Sequence, residues 1–219
     1  MTPVRSLIAI LAACLCALPA PAQKEGAVEC GLLIYAGTRT SRCFSDEFLT
    51  TVQQKTSIVT ERRFKPVKLA GDDLFRFPFV ILTGEGDFNL TPQERDNLRK
   101  YLENGGFLLA SAGCSNREFD ASFKREIKRL FGNDALRNVA MDHAVFRTVF
   151  DIREMPLSKS SGVAAPLQGV SLHDKLVVIY SSDGLNDSYH SEGCCCCGGN
   201  EIKNSMKINA NILAYALLH

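Results

Sequence analysis

The sequence predicts an α/β fold, a three-layer sandwich of helices around a mostly parallel sheet. Three observations predict it. Apolar runs at residues 32–35, 79–82, 107–110 and 176–180 are continuous rather than alternating, the pattern of strands buried on both faces of a parallel sheet. Segments with helical spacing and helix punctuation lie between them. Each run then gives way to small or polar residues: Gly37-Thr38, Gly84-Glu85-Gly86-Asp87, Gly113-Cys114-Ser115-Asn116 and Ser181-Ser182-Asp183-Gly184.

The elements follow in order. Ser45 is placed to cap a first helix running through Val52, and residues 57–60 make a weaker fifth strand. Thr91-Pro92-Gln93-Glu94 is a capping box with proline at the first helical position. Its helix runs to Leu102 and ends at Asn104-Gly105-Gly106, where glycine accepts the left-handed cap. Phe119, Phe123, Ile127, Leu130 and Phe131 fall on one face of the next helix, which stops at Gly132-Asn133. Residues 158–168, rich in Ser, Gly, Ala and Pro, read as a surface loop. Residues 169–172 and 175–180 flank His173-Asp174 as a hairpin, which adds one antiparallel pair. Ile202, Met206, Leu213 and Leu217 line a C-terminal helix.

The first residues have the pattern of a secretory signal. Arg5 supplies the positive region, residues 6–18 the apolar core, and Ala20-Pro21-Ala22 a cleavage site before Gln23. This divides the chain into a signal peptide at 1–22 and one α/β domain at 23–219. It places the mature protein in the periplasm or outside the cell, with no transmembrane segment after signal removal. The alternative uses Leu11-Ala12-Ala13-Cys14 as a lipoprotein box, with Cys14 carrying the lipid. Charge is nearly balanced, 25 basic against 24 acidic residues, so there is no electrostatic footprint for nucleic acid. Lys124, Arg125, Lys128 and Arg129 flank the apolar stripe of their helix and are expected to be a solvated face.

Of nine cysteines, Cys14 and Cys16 leave with the signal, and seven remain: Cys30, Cys43, Cys114 and the run Cys194-Cys195-Cys196-Cys197. Adjacent α-carbons lie about 3.8 Å apart, short of the roughly 4.4–6.8 Å usual for a disulfide. The four therefore engage something outside themselves: Cys30, Cys43, Cys114, or a soft metal such as zinc or copper(I). An odd number of thiols in an exported chain leaves at least one free, ligating a metal or bonded to another molecule.

In open parallel sheets, ligands bind beyond the carboxyl ends of the strands. Glu85, Asp87, Cys114, Asp183 and the cysteine run are therefore expected on one edge, with His143 as a further lining residue. Two carboxylates in the 84–87 loop suit a cation or a polar ligand. Cys114 lies at a strand-to-helix turn, where a helix N-terminus lowers a thiol pKa. His190-Ser191-Glu192 downstream supplies a base and its orienting carboxylate.

The segments Phe77-Pro78-Phe79, Leu82-Thr83-Gly84-Glu85-Gly86-Asp87-Phe88 and Leu98 to Phe107 carry a resemblance. Phe119-Asp120, Phe123-Lys124-Arg125-Glu126 and Asp142-His143 with Phe146 extend it over nearly the whole mature chain. The chain resembles the bacterial family known as domain of unknown function 4159. The resemblance implies a class I glutamine amidotransferase-like, flavodoxin-like fold, with no assigned activity. In enzymes of that wider fold a G-x-C-x-G turn carries the cysteine, and a late His-x-Glu completes the site. Cys114 and His190-Ser191-Glu192 match those places, while Ala112 and Asn116 stand where the turn's glycines would be.

Three function classes follow. The first is an exported module whose cysteine-rich strand-end crevice binds a small molecule, a protein or a metal. The second is a cysteine-dependent hydrolase or amidotransferase-like enzyme using Cys114, His190 and Glu192. A structural partner domain of the envelope is a third.

Overall fold

The computed structural model describes residues 26–41, 43–188, 194 and 200–219. In chain order the elements are β1 (Cys30–Ile34), α1 (Glu47–Lys55), β2 (Lys65–Lys68), β3 (Phe79–Gly84), α2 (Pro92–Glu103) and β4 (Phe107–Ala112). Next come α3 (Arg117–Phe131), β5 (Arg137–Asn138), β6 (Gln168–Leu172), β7 (Lys175–Ser181) and α4 (Ser205–Leu218). The strands form one seven-stranded sheet in the order β2-β1-β3-β4-β7-β6-β5. The pairings among β2, β1, β3, β4 and β7 are parallel, and those of β6 with β7 and with β5 are antiparallel.

The continuous apolar runs are explained by two cores. Along β3, Phe79 and Ile81 point to the face covered by α1 and α4, while Val80 and Leu82 point to the face covered by α2 and α3. In β4, Leu109 joins the first core, and Leu108 and Ala110 join the second. A strand with helices on both faces cannot alternate polar and apolar residues.

The punctuation of α2 and α3 holds atom by atom. Thr91 Oγ1 accepts from Glu94 N (3.2 Å), and Glu94 Oε2 accepts from Thr91 N (2.7 Å). Gly105 follows that helix at φ +91°, and Gly132 caps α3 at φ +95°. The expected hairpin is β6–β7, and His173 and Asp174 both take positive φ at its turn. Two-residue hairpins favour that conformation because it matches strand twist.

Elsewhere the boundaries moved. The first helix begins after Asp46 and continues to Lys55, while Ser45 Oγ accepts from Glu47 N (3.2 Å). Residues 57–60 contribute one bridge, Val28 to Thr60, and the strand lies instead at Lys65–Lys68. That strand is a sheet edge with only Val67 buried, so it lacks the apolar run that marks its neighbours. The two-residue β5 at the other edge has both side chains exposed. No helix among the described residues is long and apolar enough to cross a membrane.

Candidate functional site

The carboxyl ends of β1, β3, β4 and β7 lie side by side, which gathers the loops after them on one edge. Glu85, Asp87, Cys114 and Asp183 are all there, as the strand order requires.

Asp87 is clamped onto α3. Its Oδ1 accepts from Ser122 Oγ (2.7 Å) and from Arg125 Nη2 (3.0 Å). The Ser122 hydrogen bond first, then Arg125, holds its carboxyl below the usual carboxylate range. Arg125 also donates to Phe88 O, so the basic helix face expected to be solvated includes one residue that builds the loop. Asn116 joins the two turns. Its Oδ1 accepts from Gly86 N (3.0 Å) and from Phe119 N (2.9 Å), capping α3 while fixing the 84–87 loop.

Across the gap between β1 and β3, Arg39 Nη1 donates to Glu85 O (3.4 Å). Arg39 is held by paired backbone bonds with Tyr35, each 2.8 Å. This gap is where the chain reverses its direction of building the sheet, β2 to one side and β3 to the other. Gly84 leaves room for the Tyr35 hydroxyl, which donates to Thr83 O (3.2 Å), since a Cβ there would meet Tyr35 Oη at 2.2 Å.

Cys114 sits in the left-handed region at φ 53°, ψ 33°, and Ser115 follows at φ 54°. A non-glycine residue in that region is uncommon and marks a constrained turn. Part of the constraint is Gly113, whose added Cβ would lie 2.8 Å from Gly84 O. The cysteine is disulfide-bonded, and Ser115 Oγ donates to Asn200 O. Asp183 Oδ2 accepts from Ala165 N (2.6 Å), so this carboxylate anchors the preceding surface loop.

Behind these loops lies a row that the strand ends share. Thr83 pairs with Ser111 across β3 and β4, and Ser111 pairs with Ser181 across β4 and β7. Asn186 locks the row: its Nδ2 donates to Thr83 Oγ1 (3.0 Å), and its Oδ1 accepts from Ser111 Oγ (2.7 Å). Leu185 N donates to Ser111 Oγ (2.7 Å), and Ser45 N donates to Asn186 O (2.8 Å). The signal was present in the sequence, because the apolar runs of β3, β4 and β7 are each followed by a hydroxyl residue at the same strand position.

The cysteines divide into kinds. Cys43 and Cys194 form a disulfide, with α-carbons 5.5 Å apart and a sequence separation of 151 residues. Cys30 is a free thiol buried in the core at the start of β1, and burial pushes its pKa up to about 12. It does not join the bonded cysteines, because β1 is enclosed between β2 and β3. Cys195, Cys196 and Cys197, with His190 and Glu192, lie outside the described residues. Among the described residues no group of three or more His, Cys, Asp or Glu side chains is placed to hold a metal ion. The sulfurs of Cys43, Cys114 and Cys194 are committed to disulfides and are not thiolate donors for zinc or copper(I).

His143 is not with the others. Its Nδ1 accepts from Val145 N (3.2 Å), and its ring lies 5.3 Å from Tyr215. Tyr215 lies 6.4 Å from Phe107 at the start of β4, so His143 occupies the opposite edge of the sheet. Burial of Val145 and Phe146 against α4 carries it there.

The described cavities are not all at the gathered loops. One of about 500 Å³ lies beyond the ends of β1 and β2, lined by Gly37, Lys68, Thr91 and Gln93. Another of about 480 Å³ runs along the edge strand β2, lined by Glu29, Lys65, Arg76 and Phe77, and one of about 440 Å³ lies between the end of α3 and β6. A comparison with curated proteins finds no match. A family model described as Domain of unknown function (DUF4159) matches residues 35–217. That match spans every loop of the strand-end edge, and the chain belongs to the DUF4159 family.

Proposed function

We propose that the protein is an exported α/β domain, periplasmic or secreted after cleavage before Gln23, which binds a polar ligand at its strand-end edge and uses its cysteines as cross-links. The observation that carries this is the bonding state of the edge cysteines, with Cys43 joined to Cys194 and Cys114 also in a disulfide. Disulfides persist in oxidising compartments and are rare in the reducing cytoplasm. The parallel order β2-β1-β3-β4 supports the flavodoxin-like part of the resemblance. In sheets wound that way the gap between the first and third strands is the usual ligand site, and here Arg39, Glu85 and Asp87 border it.

Peptide mapping of the purified mature chain under non-reducing conditions tests the cross-links. A Cys43–Cys194 peptide and a mature N-terminus at Gln23 are expected. Stoichiometric zinc or copper in the oxidised protein would reject the cross-link reading in favour of a metal–thiolate centre.

A second reading, the cysteine-dependent hydrolase or amidotransferase-like enzyme, is favoured by one observation. Cys114 has the left-handed conformation of a strained strand-to-helix turn, the arrangement that exposes a nucleophile. Its chemistry requires the disulfide to be open first. After mild reduction, rapid iodoacetamide labelling of Cys114 that His190→Ala slows would support the enzyme. Slow labelling, indifferent to His190, would remove it.

A further inference from the structure

Six buried side-chain polar atoms have no hydrogen-bond partner among the described residues. Five of them belong to the end of β7 and the approach to α4: Ser181 Oγ, Glu201 Oε1, Asn204 Oδ1, Ser205 Oγ and Asn209 Oδ1. Buried polar groups in native proteins are nearly all paired, so this concentration in one place points to a guest.

The chain of bonds around them is short. Ile202 N donates to Gly184 O (3.1 Å), and Ser205 N donates to Ile202 O (3.1 Å). A Cβ on Gly184 would lie 3.3 Å from Glu201 Cγ, so the glutamate side chain rests on that glycine. One helical turn after Ser205, Asn209 Nδ2 donates to Leu185 O (2.8 Å). Leu185 in turn bonds Ser111, the strand partner of Ser181. Ser181, Glu201, Ser205 and Asn209 are thus tied to the turn at residues 181–185, while Asn204 Nδ2 donates instead to Glu154 O (3.0 Å).

The chemistry of the set is uniform. The amide nitrogen of Asn209 is taken by a carbonyl, which leaves its oxygen as the free acceptor. Glu201 Oε2 accepts from Ser188 N (3.0 Å) and Ser188 Oγ (2.9 Å), both neutral donors, and Oε1 remains. Ser181, Ser205 and Asn209 are at most 2% exposed and Glu201 9%. The donors are all oxygen and carry one negative charge. A buried carboxylate is costly unless a positive charge meets it. Oxygen-only donor sets suit hard cations, and divalent ones usually gather more than one carboxylate.

We propose that these buried oxygens bind a monovalent cation, an alkali ion or ammonium, through Glu201 Oε1, Ser205 Oγ and Asn209 Oδ1 beside Ser181. The site depends neither on the ligand of the strand-end edge nor on the cysteine bonding.

The test compares thermal unfolding of the mature protein in sodium, potassium, rubidium, ammonium and choline chlorides at equal ionic strength. One of the small cations is expected to raise the melting temperature by about 5 °C over choline, and Glu201→Gln to abolish the difference. Crystals grown in rubidium chloride provide a measurement that needs no variant. An anomalous peak at Glu201 Oε1 identifies an alkali site, while stabilisation by ammonium without such a peak identifies ammonium. Equal melting temperatures in all five salts, with water at Glu201 Oε1, would overturn the proposal.

Discussion

The two faces of the sheet are built by different means. On the face under α2 and α3 the sheet itself is apolar, from Leu33 and Val80 to Leu108 and Tyr180, the buried polar side chains Asn97, Ser122 and Glu126 belong to the helices, and both helices start at side-chain caps, Thr91 and Asn116. The face under α1 and α4 has an apolar centre, yet its carboxyl end carries the row Thr83, Ser111 and Ser181 with Asn186 and Asn209. Neither N-cap residue there, Asp46 or Asn204, makes a side-chain cap bond, and α1 is met only by Ser45 Oγ at its first N–H. On the first face local signals start each helix and packing finishes it. On the second, hydrogen bonds between residues far apart in the chain decide where α1 and α4 sit.

The difference can be broken from either side. Phe123→Ala strikes the apolar face, where the ring is buried and stacks on Tyr180 at 4.2 Å. It should cost about 3–5 kcal/mol in denaturant unfolding, and a loss below about 1 kcal/mol would show that this face repacks freely. Asn186→Ala strikes the polar face and strands Thr83 and Ser111. A loss of about 2–3 kcal/mol is expected, with faster hydrogen exchange in α4 but not in α2. Equal exchange in the two helices would erase the distinction.

Smaller effects sharpen it. Thr91→Ala removes one cap bond and should cost about 1 kcal/mol, read as fraying at the start of α2 alone. The smallest effect is at Asp87. Its folded pKa is lowered by Ser122 and then Arg125, so its contribution is present above the unfolded carboxylate value of about 4. That contribution is lost as pH falls through the lower folded value. Asp87→Asn should flatten this acid limb slightly in a pH series of urea midpoints, and an unchanged limb would show that the clamp holds geometry without linkage to stability.

The same contrast explains what the sequence could reveal. Capping and stripe patterns are local, so α2, α3 and the β6–β7 hairpin were legible. The edge strand β2 was not, because Lys65, Pro66 and Lys68 face outward and only Val67 is buried. The strand-end positions of Glu85, Asp87, Cys114 and Asp183 followed from strand order. Their partners did not: Arg125 reads as a solvated base until Asp87 is placed beside it, and Asn116 stands where a glycine was expected yet bonds two loops. His143 shares its segment with Val145 and Phe146, and their burial takes it to the far edge.

Under the proposed export, the enclosure of Cys30 also bears on how the chain reaches its final covalent pattern. Residues 23–219 hold seven cysteines, and the oxidising compartment of the proposed function lets a thiolate attack a disulfide. Once β1 is seated between β2 and β3, a thiol with pKa near 12 contributes almost no thiolate at neutral pH. Six cysteines permit about 15 complete pairings, and the total would be roughly sevenfold larger if any one of seven could be the member left out. In a chain whose sheet assembles before oxidation, this enclosure would act as proofreading, discarding the wrong cross-links that involve Cys30 before a disulfide isomerase has to find them.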